Sequence, residues 1–284
     1  MPMTQPVSSG TGGTAVTEWV KNTFGLAERA CVVTGGASGI GRGIALLLGQ
    51  EGAKVAVLDR DGAGAQETVG LIVAAGGTGL AATCDVSDQA NVESACAKVR
   101  QRFGDAHVLV NNAGFIRKGA IETLPLADWN GLLSVNLTGY FLCAQTFGRG
   151  MLANGDGVIV NVSSVMADYA SPLGGAYSVA KAGVAMLSRL LAVEWGPKGV
   201  RSNCVQPALV ITPLSQPIYD QPEFMQKRSA AVPSRRIGLP EDIARTVLFL
   251  ASPHASYVNG TDLMVDGGFV ANLMNLIPRH TPEE

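Results

Sequence analysis

Charge is scarce in this chain. Asp, Glu, Lys and Arg make up 15% of its 284 residues and nearly cancel, to a net charge of −2. Without a basic excess, nothing draws the phosphates of a nucleic acid or an anionic membrane surface. No apolar run reaches the ~18 residues that a membrane span needs. Histidine is rarer still: His107, His254 and His280 are scattered, none at metal-ligand spacing, and no catalytic metal is expected. The five cysteines, Cys31, Cys84, Cys96, Cys143 and Cys204, are odd in number and include no C-x-x-C pair. They read as small core residues in a reducing compartment, so a cytoplasmic location is expected. Residues 1–23 lack the basic start and apolar core of a secretory signal. That polar, Gly/Ser/Thr-rich stretch is read as a flexible extension with one short helical turn near Trp19.

What the chain has in quantity is apolar surface, 47% of residues, with a mean hydropathy of +0.23. Part of this fills a large core, and contacts between subunits account for more. Seven strand-like runs lie near Cys31, Val57, Ala82, Leu109, Ile159, Cys204 and Met264. Helical segments separate most of them, which implies parallel strands with right-handed crossovers in one α/β domain over about 24–269.

The first run, Ala30 to Thr34, leads into Gly35-Gly36-Ala37-Ser38-Gly39-Ile40-Gly41 and then a helix with Ile40, Ile44, Leu47 and Leu48 on one face. Strand, glycine turn and helix together form the context in which a dinucleotide pyrophosphate is held. The glycines allow close backbone approach, and the helix offers unpaired N–H groups. Asp59 ends the second run, about 20 residues on, where a carboxylate can take the adenosine ribose hydroxyls. It would repel the extra phosphate of NADP, although Arg60 beside it blunts that effect. Ser38 stands where a basic residue would favour NADP, so NAD is expected, with NADP less so.

Tyr177 and Lys181 form a Y-x-x-x-K pair on a predicted helix from Ala176 to Trp195, and residues four apart share a helix face. A free phenol has a pKa near ~10, and a neighbouring ammonium is expected to lower it toward the range of a working acid/base. Ser163 and Ser164 end the apolar run Val158 to Val162, at the sheet edge where ligands bind. Alternation alone does not choose between the two hydroxyls.

At this point the chain, from about residue 25 to 269, resembles the short-chain dehydrogenase/reductase family. The motifs that carry the resemblance are Thr34 through Gly41, Asp85-Val86, Asn111-Asn112-Ala113-Gly114, Asn136, Tyr177 with Lys181, and the segment Pro207 to Pro213, in which Ala208 replaces the usual glycine. The resemblance implies a Rossmann-like, doubly wound sheet of seven strands in the order 3-2-1-4-5-6-7, in a homodimer or homotetramer. It selects Ser164, thirteen residues before the tyrosine. It implies Tyr177 as general acid/base, Lys181 to tune it and bind the nicotinamide ribose, Ser164 to orient the reacting oxygen, and Asn136 to hold a water linking the lysine to solvent. Asp85, Val86, Asn112, Ala113, Gly114, Pro207, Val210 and Thr212 are implied cofactor contacts, the last two at the carboxamide.

Residues 212–236 carry Pro213, Pro217, Pro222 and Pro233 and form the least regular stretch, read as a lid over the substrate. Phe115, Ile116, Met166, Asp168, Leu173 and Leu209 are candidate pocket walls, with Asp168 available to a second hydroxyl. The apolar tail over 270–284 is expected to pack on a subunit boundary or a neighbouring pocket. The function expected is NAD-dependent interconversion of a secondary alcohol (a sugar, polyol or cyclic alcohol) and its ketone. Two alternatives stay open: a 3-oxoacyl thioester reductase using NADPH, which would need a basic docking surface of which only Arg235-Arg236 is visible, and a non-catalytic cofactor sensor.

Overall fold

In the computed structural model, residues 23–276 are described. The helical turn expected near Trp19 and most of the tail lie outside them. Seven parallel strands form one sheet in the order β3-β2-β1-β4-β5-β6-β7. They are β1 (Ala30–Thr34), β2 (Lys54–Asp59), β3 (Thr78–Thr83), β4 (Val108–Asn111), β5 (Gly157–Val162), β6 (Val200–Pro207) and β7 (Asp262–Val265). All seven sequence-predicted strands are present, in the implied order. Their Val/Ile-rich runs suit strands covered on both faces, where the sheet needs no polar side.

Alternation along each strand divides the core in two. Cys31, Val33, Val55, Val57, Val108, Val110, Val158 and Val160 face one layer. That layer holds α1 (Gly39–Gln50), α2 (Gly62–Ala74) and, beyond the sheet centre, α9 (Pro240–Ala251). Val32, Ala56, Leu58, Leu109 and Ile159 face the other. There lie α3 (Gln89–Phe103), α5 (Gly139–Asn154) and α6 (Tyr177–Trp195). A short α4 (Leu126–Leu133) runs into a π-helical turn, Ser134–Thr138, and from there into α5. Asp61 and Asp88 cap α2 and α3 by accepting from the N–H groups of Gly64 and Asn91.

Residues 212–236 are not the irregular loop that their prolines suggested. They carry two short helices, α7 (Gln216–Tyr219) and α8 (Pro222–Ala231). Proline stands in the first turn of each, where its missing N–H costs nothing. The small residues at the start of α6 pack inside the chain. Ala176 and Ala180 are buried against Leu132, and a Cβ on Gly183 would meet Leu137 at 2.9 Å. Their closeness serves packing within the chain. The outward face of α6 carries Val179, Met186, Leu190 and Val193 instead.

The turn between β1 and α1 is a tight joint of the sheet. A Cβ on Gly41 would lie 2.1 Å from the Gly35 carbonyl oxygen, and one on Gly35 would lie 2.7 Å from Ala113 Cα. These are backbone atoms and cannot turn aside. Gly41→Ala is therefore expected to cost about 2 kcal/mol of stability, read as a lower midpoint in urea denaturation. An unchanged midpoint would show that the turn has slack.

Candidate active site

The site is assembled at the carboxyl ends of the strands, beside the gap between β1 and β4 where the strand order reverses, the place where ligands bind in such sheets. On one side is the glycine turn. Gly35 and Gly39 take positive φ of 66° and 55°, and Thr212 packs against Gly39. Thr34 and Asn112 lock this turn to the β4 exit. The Thr34 hydroxyl accepts from the N–H groups of Asn112 and Ala113, and the Asn112 amide donates to the carbonyls of Thr34 and Gly35. Asp59 accepts from the N–H of Ala37 with one oxygen and of Asp61 with the other, each at 3.0 Å. A carboxylate has further lone pairs for sugar hydroxyls. Asp85, exposed at the end of β3, accepts from Ser87, while Val86 is buried against Gly139.

On the other side α6 begins at Tyr177 and carries Lys181 one turn later. The Ser164 hydroxyl, just past β5, lies close enough to Tyr177 to favour its charged form and accepts from the Met166 N–H at 3.1 Å. Ser163, its neighbour, turns the other way and donates to the Lys181 carbonyl, a structural tie. The two neighbouring hydroxyls thus serve different partners.

Electrostatics here differ from the expectation for Tyr177. Burial pushes its phenol up to about 12, opposed by the Ser164 hydrogen bond. Lys181 contributes no downward pull, and two of its N–H groups are taken by other partners. Nζ donates to the Val162 carbonyl at 2.8 Å and the Tyr140 hydroxyl at 3.0 Å, and lies 5.7 Å from the Tyr177 ring centre. Burial brings Lys181 itself down to about 7, with Cys204 acting weakly the other way. Residue spacing placed both groups on one face; it held no information about how dry that face is.

Asn136 sits fully buried in the π-helical turn and clamps Phe115, accepting from its N–H at 3.1 Å and donating to its carbonyl at 2.8 Å. Of the candidate walls, Phe115, Met166 and Leu209 are half-buried, whereas Ile116, Asp168 and Leu173 are exposed. Leu173 holds a left-handed φ of 61°, kept by a bond from the Gly119 N–H to its carbonyl. Val210 bridges to Gly238, and its carbonyl accepts from Ser215, which also accepts from the Thr212 N–H. Sequence reading missed Ser215, which fixes Thr212, and Tyr140, which holds Lys181. Both lie inside predicted segments with no motif of their own.

The residues present fit a dinucleotide. Ser38 makes no side-chain cap at the start of α1, which leaves the first-turn N–H groups to a ligand among the described residues. The glycines keep that approach clear of side chains, and Asp59 waits at the second strand. No group of three or more His, Cys, Asp or Glu able to hold a metal ion occurs among the described residues. The cysteines are free, and all but the half-buried Cys96 are buried. No helix among the described residues is long and apolar enough to cross a membrane.

Comparison with known proteins agrees with this geometry. A family model described as enoyl-(acyl carrier protein) reductase matches residues 35–270. The chain is 39% identical to D-threitol dehydrogenase of Mycolicibacterium smegmatis over 246 residues, 87% of this chain and 94% of that protein. It is 40% identical to cis-4-hydroxycyclohexanecarboxylate dehydrogenase of Sinomonas cyclohexanicum over 248 residues, 87% and 98% of the two chains. Among solved structures it is similar to one from Beutenbergia cavernae, assigned as an NAD(P)-dependent gluconate 5-dehydrogenase with NADP bound at low occupancy. That match has a TM-score of 0.82, 36% identity, and coverage of 87% and 98%.

Proposed function

The chain belongs to the short-chain dehydrogenase/reductase family and is an oxidoreductase acting on alcohols with a nicotinamide dinucleotide; we propose that Tyr177, Ser164, Lys181 and Asn136 carry its chemistry, with NAD as the preferred coenzyme. One observation carries this reading: the Ser164 hydroxyl and the Tyr177 phenol lie together beside a buried lysine, at the sheet edge where the glycine turn opens. When bound, the nicotinamide supplies the hydride acceptor or donor. Tyr177 takes the proton from the alcohol oxygen, or returns it to the ketone. Ser164 fixes the direction of that oxygen. Lys181 stands behind the phenol as the positive charge and proton reservoir, and Asn136 holds the adjoining backbone at Phe115.

The coenzyme residues are proposed as Gly35, Ser38, Gly39, Ile40 and Gly41 at the pyrophosphate, and Asp59 at the ribose. Asp85, Val86, Asn112, Ala113 and Gly114 lie along the adenine and the strand exit, and Pro207, Val210 and Thr212 at the carboxamide. Arg42, the cation nearest the turn, bonds Glu67, Thr68 and the Ala37 carbonyl, which keeps it from serving an NADP phosphate. Residues 212–236 leave and return at a single joint, where the Ile211 and Gly238 N–H groups bond Gly238 and Leu209 carbonyls. That geometry suits a lid over a pocket of Phe115, Met166, Leu173 and Leu209, with Asp168 at its rim. The substrate class proposed is a polyol, sugar or cyclic secondary alcohol, as in the threitol and cyclohexane relatives. The thioester-reductase alternative has less support, since Arg236 is paired with Asp242 and leaves Arg235 as the exposed charge of the pair. We place the enzyme in the cytoplasm as a homotetramer or homodimer, joined through the exposed apolar face of α6.

Tyr177→Phe is expected to lower turnover by a factor of about 10²–10⁴ while coenzyme still binds, seen by nicotinamide absorbance and fluorescence titration. An active variant would refute the proton route. The sign of the pH dependence follows from the same role. Oxidation needs the phenolate and speeds up as pH rises, whereas ketone reduction needs the phenol and slows. Parallel limbs in the two directions would contradict it. Asp59→Asn should raise kcat/KM with NADP relative to NAD by about tenfold, as a like-charge contact is removed. No change in that ratio would take Asp59 out of coenzyme choice. Light scattering on the pure protein should give two or four chains, and Met186→Glu with Leu190→Glu should reduce that number. A monomeric parent protein would contradict the interface.

A further inference from the structure

We propose that Tyr140 is a second tyrosine of the active site, a positioning residue that aims the Lys181 amine at the reaction centre and keeps it protonated. The inference rests on the roles of Tyr177 and Lys181 given above and goes beyond them. Tyr140 lies four residues after Asn136, in the first turn of α5, and is 1% exposed. Its hydroxyl donates to the Val162 carbonyl at 2.9 Å and receives a bond from Lys181 Nζ at 3.0 Å. Nζ donates to the same carbonyl at 2.8 Å and lies 4.8 Å from the Tyr140 ring centre, nearer than the 5.7 Å to the Tyr177 ring. The three groups close a triangle beneath the site.

An ammonium has three N–H donors. Two are committed to this triangle, so one is left for the open side, toward Tyr177 and a coenzyme sugar. A flexible four-carbon stem is thereby fixed in one direction. The Tyr140 proton is already given to Val162, so what its oxygen offers Nζ is a lone pair. A lone pair favours the charged amine, and burial at this position works against the charge. Packing alone does not call for a hydroxyl here. The neighbours Val184, Ala185 and Cys204 are apolar, and phenylalanine would fill the same space. A phenol in such surroundings costs free energy unless its oxygen is bonded, and here every bond goes to the lysine and its anchor.

The titratable groups facing Tyr140 are Tyr177 and Lys181 on α6, Cys204 on β6 and Cys143 on α5. Burial holds both thiols well above their ordinary range, so neither changes charge while the enzyme works. The lysine and Tyr177 therefore own the pH profile.

The test is Tyr140→Phe in the full chain, assayed for alcohol oxidation with NAD across pH beside the parent enzyme and Tyr177→Phe. Loss of one bond to a charged group should lower kcat about tenfold. With one acceptor gone, Lys181 gives up its proton more readily, so the limb of the profile that follows the Lys181 charge should move to lower pH by about one unit. KM for the alcohol should hold, since Tyr140 does not touch substrate. An unmoved limb, including a variant that only melts earlier, would overturn the proposal. Should the variant not fold, ¹⁵N-lysine spectra of the parent protein decide, with Lys181→Met for assignment. Slowly exchanging Nζ protons with cross-peaks to the Tyr140 ring support the proposal, and their absence overturns it. An active Tyr177→Phe enzyme would instead remove the reading on which it rests.

Discussion

A lysine amine with almost no access to water is the constraint around which this end of the molecule is organised. Lys181 is 3% exposed, and an ammonium taken that far from solvent costs several kcal/mol unless hydrogen bonds replace the lost hydration. Two hydrogen bonds and one aromatic ring replace it, from three separate elements. Val162 ends β5, Tyr140 opens α5, and the Tyr177 ring stands one turn back on α6. These elements meet only because the sheet is parallel and its strand ends are level. The fold thus acts as the frame that makes a buried cation tolerable, and the site uses the reactivity that burial creates. Burial acts on both partners in opposite senses, raising the phenol to about 12 and lowering the amine to about 7, which pulls two nearly equal proton affinities apart.

The opposite wall of the groove is built on shape rather than charge. At Gly35 and Gly41 any side chain would run into backbone, so the turn can lie directly against the β4 exit. The Thr34 hydroxyl and the Asn112 amide fasten the two together, and the start of α1 is left without a side-chain cap. A phosphate-bearing ligand is then met by backbone N–H groups, and selectivity is left to the few side chains at the edge, Asp59 first among them. Such a division lets relatives share a frame while the substrates they are named for range from threitol to a hydroxycyclohexanecarboxylate.

Much of this could be read from the residues. Seven apolar runs became seven strands because β-branched residues suit a sheet covered on both faces. The glycines of the turn and the Tyr177–Lys181 spacing announce themselves by pattern. What escaped has physical reasons. Tyr140 looks like any aromatic on a core helix, and its partners lie 22 and 41 residues away. The π-helical turn at Asn136 has no composition of its own. Pro217 and Pro222 read as breakers, although each lies in the first turn of a helix. Ala176, Ala180 and Gly183 could have faced either way, and only the packed structure shows that they face inward. The direction of the Tyr177 shift was misjudged because spacing reports neighbours and not desolvation.

The most direct measurement is a crystal structure of the full chain with a nicotinamide dinucleotide bound. The account expects the Lys181 amine to keep its bonds to Tyr140 and Val162 while its remaining N–H reaches the coenzyme sugar, with the phenol of Tyr177 and the hydroxyl of Ser164 facing one open position above the ring. An amine swung out to solvent, or a coenzyme lying anywhere but against the glycine turn, would contradict it.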